Sequence, residues 1–187
     1  MTERFNVQDT PLPGLKVLER KPLGDQRGFL ERVFCADELA PLLAGKPLLQ
    51  INHSLTRKKG AVRGFHFQNP PHAETKIVTC LRGQVFDIAV DVRPDSSTYL
   101  NWHGVVLSED NFLSFLIPEG FAHGFQTLTE NCELLYLHTA AYHPSAEAAF
   151  NPRDPALSVN WPLDISELSQ RDISHPMIQQ SKRRITP

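Results

Sequence analysis

The stretch KIVTCLRGQVFDIAVDVR, residues 76–93, decides what kind of fold this 187-residue chain adopts. Two runs rich in β-branched and aromatic residues flank Arg82-Gly83, a dipeptide suited to a two-residue turn. Read as a hairpin, it sets Leu81 opposite Gln84, Cys80 opposite Val85, Val78 opposite Asp87 and Lys76 opposite Ala89. Side chains alternate across a strand. One face therefore carries Lys76, Val78, Cys80, Val85, Asp87 and Ala89, and the other carries Ile77, Leu81, Phe86 and Ile88. The second is an ordinary apolar face. The first sets a cation and a carboxylate among small apolar groups, as diagonal neighbours within reach of long side chains. That suits a barrel lumen with a polar site, and it equally describes a solvated surface pair.

Outward from this stretch the rhythm continues. Fifteen prolines and ten glycines punctuate short apolar runs along the whole chain, the pattern of an all-β sandwich or barrel rather than of βαβ units. Further strands are expected at residues 14–18, 28–34, 48–54, 61–67, 104–107, 113–117, 122–127 and 133–138. Helix signals are few: ADELAPLLAG at 36–45, and DISELSQRD at 164–172, where Asp164 is a candidate N-cap with Glu167 at capping-box distance. No repeat, low-complexity segment or linker divides the chain. A single domain over 1–187 is expected, with its core at about 14–176 and a polar C-terminal tail.

Apolar residues at 41% and charged residues at 21% are ordinary globular values. A net charge of -2 offers no reason to expect a nucleic-acid or anionic-membrane partner. The basic cluster SKRR at 181–184 reads as part of a solvated tail. No apolar run approaches the roughly 20 residues that span a bilayer, and the first fourteen residues, MTERFNVQDTPLPG, lack the apolar core of a signal peptide. Cys35, Cys80 and Cys132 are odd in number and free of any C-x-x-C pair, which points to reduced thiols in the cytoplasm.

The densest chemistry lies in RGFHFQNPPHAETK, residues 63–76. Gly60, His66 and Glu74 roughly follow the first motif of cupin barrels, and Pro118, Gly120 and His123 in IPEGFAHGF resemble the second. The position of the second metal histidine is Gln68, however, and Thr127 stands where a terminal asparagine belongs. A neutral amide is a poor ligand for zinc, iron or manganese. No tightly bound metal is therefore expected. A histidine free of metal, near a lysine and carboxylates, suits proton abstraction beside a carbonyl. The base works near neutral pH, and a cation receives the developing enolate oxygen. His66 as base and Lys76 as enolate partner fit this chemistry, while any of the eight histidines equally fits a structural role. No G-x-S-x-G, P-loop or G-x-G-x-x-G is present.

The segments DQRGFLERVF, QINHS, GAVRGFHFQNPPHAETKIV, GQVFDIAVDVRPDSSTY, IPEGFAHGF, LLYLHTAAYHPSAE, PRDPALSVNWP and SQRD occur in the order seen in dTDP-4-dehydrorhamnose 3,5-epimerases. The resemblance covers residues 14–176. It implies a cupin-like β-jelly roll, a homodimer with strands exchanged between subunits, and a dTDP-4-keto-6-deoxy sugar as substrate, handled without metal or organic cofactor. Carried over by motif, His66 is the base that removes the proton alpha to the C4 ketone, and Asp172 is its dyad partner. Tyr136 is the acid on the opposite face, and Lys76 with Arg63 stabilises the enolate or holds the substrate. Tyr142 would stack on thymine. Arg27, Gln50, Asn52, His123, Glu147 and Arg171 would bind diphosphate, sugar or base, and Asp87 would accompany Lys76 in the lumen. Arg63 and His66 have opposite strand parity, so a bulge at Gly64 is needed to bring both inward.

One departure stands out. Members of the resembled family commonly carry glutamate five residues after the arginine of R-G-F-F-x-E, whereas RGFLERVF places Arg32 there and Glu31 one earlier. Either Glu31 reaches the site by a bulge, or Arg32 substitutes a cation for a carboxylate. The rival readings are a single-carbon 3- or 5-epimerase on a related sugar nucleotide, a non-catalytic sugar-binding cupin, and a metal-dependent cupin enzyme.

Overall fold

A computed structural model describes residues 3–178. Its larger antiparallel sheet has six strands in the order β1 (Phe5–Asp9), β2 (Lys16–Arg20), β10 (Leu113–Ile117), β7 (Lys76–Arg82), β12 (Cys132–His138) and β5 (Gln50–Thr56). The second has five, in the order β13 (Glu147–Ala149), β6 (Val62–Gln68), β11 (Phe121–Thr127), β8 (Gln84–Asp91) and β9 (Trp102–Ser108). A separate two-stranded ribbon joins β3 (Leu23–Asp25) to β4 (Gly28–Leu30). The expected all-β jelly roll is observed, built as two facing antiparallel sheets.

The hairpin reading of residues 76–93 is corrected. β7 pairs with β10 and β12, whereas β8 pairs with β11 and β9. Arg82-Gly83 is a corner where the chain steps from one sheet to the other. Gly83 has φ +76°, and an added Cβ would meet Thr129 Oγ1 at 2.6 Å. Its N–H donates to the Glu109 carboxylate, and that of Gln84 donates to Thr129. The alternation survives the change of partner. Val78, Cys80, Val85 and Ala89 all join the central cluster with Leu15, Phe115 and Phe125. Their strands face each other across the interior instead of lying side by side, which buries both inward rows at once. Ile77 packs outside the larger sheet under Leu39 and Leu43, and Ile88 lies outside the smaller one with Phe65 and Leu157.

The helices are shorter than the signals suggested. α1 spans Ala36–Leu39; Ala40 is still helical, but Pro41 after it has no N–H to continue the ladder. α2 spans Gln170–Ser174 with Ser169, not Asp164, as its N-cap. Residues 164–167 cannot coil because their backbone is taken: Ser166 N–H donates to Gly60 O, Val62 N–H donates to Glu167 O, and Gln126 holds Leu163 through both ends of its amide. Three short strands, β1, β3 and β13, were not anticipated. The basic cluster at 181–184 and most of the C-terminal tail lie outside the described residues. Among the described residues no helix is long and apolar enough to cross a membrane.

Candidate active site

A cavity of about 580 Å3 is walled by both sheets. β6 and β11 supply Arg63, His66 and His123, and β5, β7 and β12 supply Asn52, Ser54, Lys76, Tyr136 and His138. Arg63 and His66 reach it together because β6 bulges. His123 faces His66 and Phe125 faces Arg63, so Gly64 and Phe65 oppose Gly124 alone. Gly64 takes φ +130°, and an added Cβ would lie 2.5 Å from Gly124 Cα. Only glycine fits. Phe65 turns outward and stacks on Trp161 at 5.8 Å.

Four histidines lining the cavity pair with carboxylates; His53 meets Glu133 on the exposed side, and His66, His123 and His138 have partners drawn from the interior. His66 Nε2 lies 2.8 Å from Asp172 Oδ1, which enters from the first turn of α2 where its own N–H is held by Ser169 Oγ. Burial pushes the Asp172 carboxyl up, but His66, the Ser169 hydroxyl and His175 together hold it below the usual carboxylate range. A carboxylate at Nε2 fixes the proton there and leaves Nδ1 with its lone pair. Nδ1 has no hydrogen-bond partner among the described residues. His123 Nε2 meets both oxygens of fully buried Asp87, at 2.8 and 3.0 Å. Burial raises the Asp87 carboxyl, while His123 and, less strongly, Lys76 across the interior pull it back. Asp87 thus sits behind His123 instead of contacting the cavity itself.

The third interior pair was not anticipated. Glu74 Oε2 accepts from His138 Nδ1 at 2.7 Å, and Glu74 Oε1 lies 3.0 Å from Lys76 Nζ. Burial opposes the charge on Glu74, yet these two partners hold its carboxyl down to about 2. His138 Nε2 in turn accepts from Asn52 Nδ2 at 3.4 Å. His138 lies two residues beyond Tyr136 on one strand, so alternation from Tyr136 was the signal that would have found it. Tyr136 has its hydroxyl 3.3 Å from that of Ser54, and burial raises its phenol well above the usual range. It remains a protonated donor at neutral pH.

At the rim, Tyr142 O–H donates to Glu147, which also pairs with Arg171, and Tyr142 N–H donates to Gln50 Oε1. Gln50 passes a further bond to Asn52. Arg27 and Glu31 are not brought to this cavity. Arg27 is paired with Asp25 on the exposed β3–β4 ribbon, its side chain 86% accessible. Glu31 turns toward buried Arg20 at 2.6 Å, and Arg32 toward Glu38. Neither a bulged Glu31 nor a substituting Arg32 reaches the site within one chain.

The metal constellation of cupins does not assemble from these donors. Gln68 gives its amide N–H groups to the carbonyls of His72 and Ala141 and accepts from His143 N–H at 2.7 Å. Glu74 and His123 are engaged by Lys76, His138 and Asp87. His72 stacks on His143 at 3.8 Å, outside the cavity lining.

The family model described as dTDP-4-dehydrorhamnose 3,5-epimerase matches residues 9–180. A protein of that name from Salmonella typhimurium is 42% identical over 177 residues, covering 94% of this chain and 96% of the relative. A dTDP-4-dehydrorhamnose 3-epimerase from Streptomyces niveus is 38% identical over 150 residues, 79% of this chain and 72% of its own. Among solved structures, a 3,5-epimerase from Legionella pneumophila in complex with dTDP-4-keto-L-rhamnose superposes with a TM-score of 0.88 at 37% identity. It covers 97% of this chain and 95% of its own. With its two-sheet jelly roll and its matched length, the chain belongs to the dTDP-4-dehydrorhamnose 3,5-epimerase family.

Proposed function

We propose that the chain epimerises a dTDP-4-keto-6-deoxyhexose at C3 and C5, converting dTDP-4-dehydro-6-deoxy-D-glucose to dTDP-4-dehydro-L-rhamnose. One observation carries the stereochemistry: His66 and Tyr136 project into one cavity from opposite sheets. A sugar ring held between them is deprotonated on one face and reprotonated on the other. His66 Nδ1 takes the proton alpha to the C4 ketone as the C–H bond breaks, and the electron pair moves onto the ketone oxygen. Asp172 stabilises the resulting imidazolium. Lys76 stabilises the enolate, with Arg63 supporting it or holding the substrate. Tyr136 O–H then protonates the carbon from the far side, and solvent restores both groups.

The rim extends the reading to the nucleotide. Tyr142 stacks on the thymine, and Arg63, Gln50, Asn52, His123 and Arg171 address sugar and diphosphate, with guanidinium forks suited to paired phosphate oxygens. Two of the other expected contacts, Arg27 and Glu31, lie away from this cavity and fit a homodimer with exchanged strands. The β3–β4 ribbon exposes Leu23, Phe29 and Leu30, and the outer edge of β5 beside the cavity exposes Ile51. Crossing of the ribbon between subunits would bring Arg27 to the partner's rim. Three free cysteines agree with a cytoplasmic setting.

Incubation with dTDP-4-keto-6-deoxyglucose in deuterated water, followed by NMR, tests the reaction. Deuterium at both C3 and C5 is expected. Deuterium at one carbon would replace this reading by the single-carbon epimerase that the Streptomyces niveus relative is named for. No exchange would overturn the dTDP-sugar assignment.

A further inference from the structure

The side of the His66–Asp172 pair away from Nδ1 holds a third donor. His175 closes α2 in an extended conformation, and its Nε2 lies 3.8 Å from Asp172 Oδ1, beyond hydrogen-bond range. That nitrogen is buried and has no hydrogen-bond partner among the described residues. A buried, unpaired ring nitrogen is costly unless a further ligand satisfies it. The rings of His66 and His175 meet edge-on, 5.6 Å apart. One nitrogen from each, together with a carboxylate oxygen of Asp172, lie within 4.8 Å of one another.

Two imidazole nitrogens and one carboxylate oxygen make a zinc donor set, with water completing the tetrahedron. We infer that His66, Asp172 and His175 form an inhibitory binding site for a divalent transition cation of the zinc class. It is distinct from the cupin constellation, since Gln68 takes no part. His66 and Asp172 also border a second cavity of about 550 Å3, whose lining shares only Arg63 and His66 with the substrate cavity. Arg171, the neighbouring cation in sequence, has its charge paired with Glu147.

Inhibition follows from the tautomer. With Asp172 at Nε2, neutral His66 carries its proton there and keeps the Nδ1 lone pair that the base needs. A cation bound at Nε2 takes that nitrogen's lone pair, so the N–H bond at Nε2 breaks and one at Nδ1 forms. No proton leaves the ring, but Nδ1 can no longer accept one from carbon. The binding site stands on geometry; its effect on rate rests on the proposed role of His66.

The test titrates zinc chloride into the full chain by calorimetry, and measures deuterium exchange of the dTDP-4-keto sugar at buffered free zinc. One zinc per chain and suppressed exchange are expected. His175→Gln should keep the zinc-free rate and raise both the zinc dissociation constant and the inhibitory concentration by at least about tenfold, as expected when a ligand is lost. His175→Ala, checked for an unchanged melt, serves as the second variant. Zinc binding that is absent in the native chain, or equal in both variants, overturns the site. Binding lost in the variants without any native inhibition overturns the regulatory effect. The calorimetric arm needs no substrate, so failure of the site and failure of the proposed reaction are told apart.

Discussion

Glu74 Oε1 lies 3.0 Å from Lys76 Nζ, and the other oxygen of the same carboxylate holds His138. The ammonium assigned to the enolate is therefore aimed by a carboxylate two residues away. Glu74→Gln should slow proton exchange by about tenfold, a loss of roughly 1.4 kcal/mol of transition-state stabilisation, while dTDP affinity changes little. Because Glu74 acts through Lys76, the double variant Glu74→Gln/Lys76→Gln should be no slower than Lys76→Gln alone. Additive losses would contradict the coupling.

The same carboxylate shapes acid stability. Its ordinary value of 4.5 is held down to about 2 in the folded chain. A depressed carboxyl stabilises the fold above its unfolded value, and that contribution fades as pH falls from about 4.5 to about 2. It amounts to something on the order of 3 kcal/mol. Urea midpoints at pH 7 and pH 3 should thus differ less in Glu74→Gln than in the native chain.

Asp172→Asn keeps the shape of the dyad but removes the charge that fixes the His66 tautomer. Exchange should fall by about 10²–10⁴-fold, with nucleotide binding measured by calorimetry nearly intact. His66→Asn should abolish exchange altogether. Persistent exchange in that variant would remove His66 from the role of base.

Tyr136→Phe separates the two proton transfers. The hydroxyl is lost while His66 and Lys76 remain, so NMR should show solvent exchange at the sugar outlasting net inversion, which falls by about 10²–10⁴-fold. Parallel loss of both would place Tyr136 in binding instead.

Gly64→Ala tests the bulge. The added Cβ meets Gly124 at 2.5 Å in a backbone region hostile to L-residues. A destabilisation of roughly 2–4 kcal/mol is expected from clash and conformation together, read as a lower urea midpoint, with activity falling as His66 leaves its register.

Much of this was legible in the chain. Alternation placed Val78, Cys80, Val85 and Ala89 on one buried face, and the Gly64 bulge followed from the conflicting parity of Arg63 and His66. Pairing was not legible, because a glycine corner and a hairpin turn share the same dipeptide chemistry. β13 was invisible for a related reason: Glu-Ala-Ala has no strand preference of its own and is extended only because it pairs with β6. Glu74 reads in the sequence only as part of a degenerate metal motif, although its spacing from Lys76 already allows contact. His138 shares the parity of Tyr136, yet alternation alone does not tell a cavity-facing histidine from one in a core.

The corner at Arg82-Gly83 also governs when the enzyme becomes an enzyme. Lys76 and Asp87 are close in sequence yet belong to opposite sheets, so no local hairpin can bring the site's halves together early. The proposed catalytic groups meet only when strands far apart along the chain have closed the sandwich, an arrangement that folds slowly. Regain of epimerisation during refolding should therefore trail the far-ultraviolet signal of the sheets, and neither sheet alone should retain any trace of turnover.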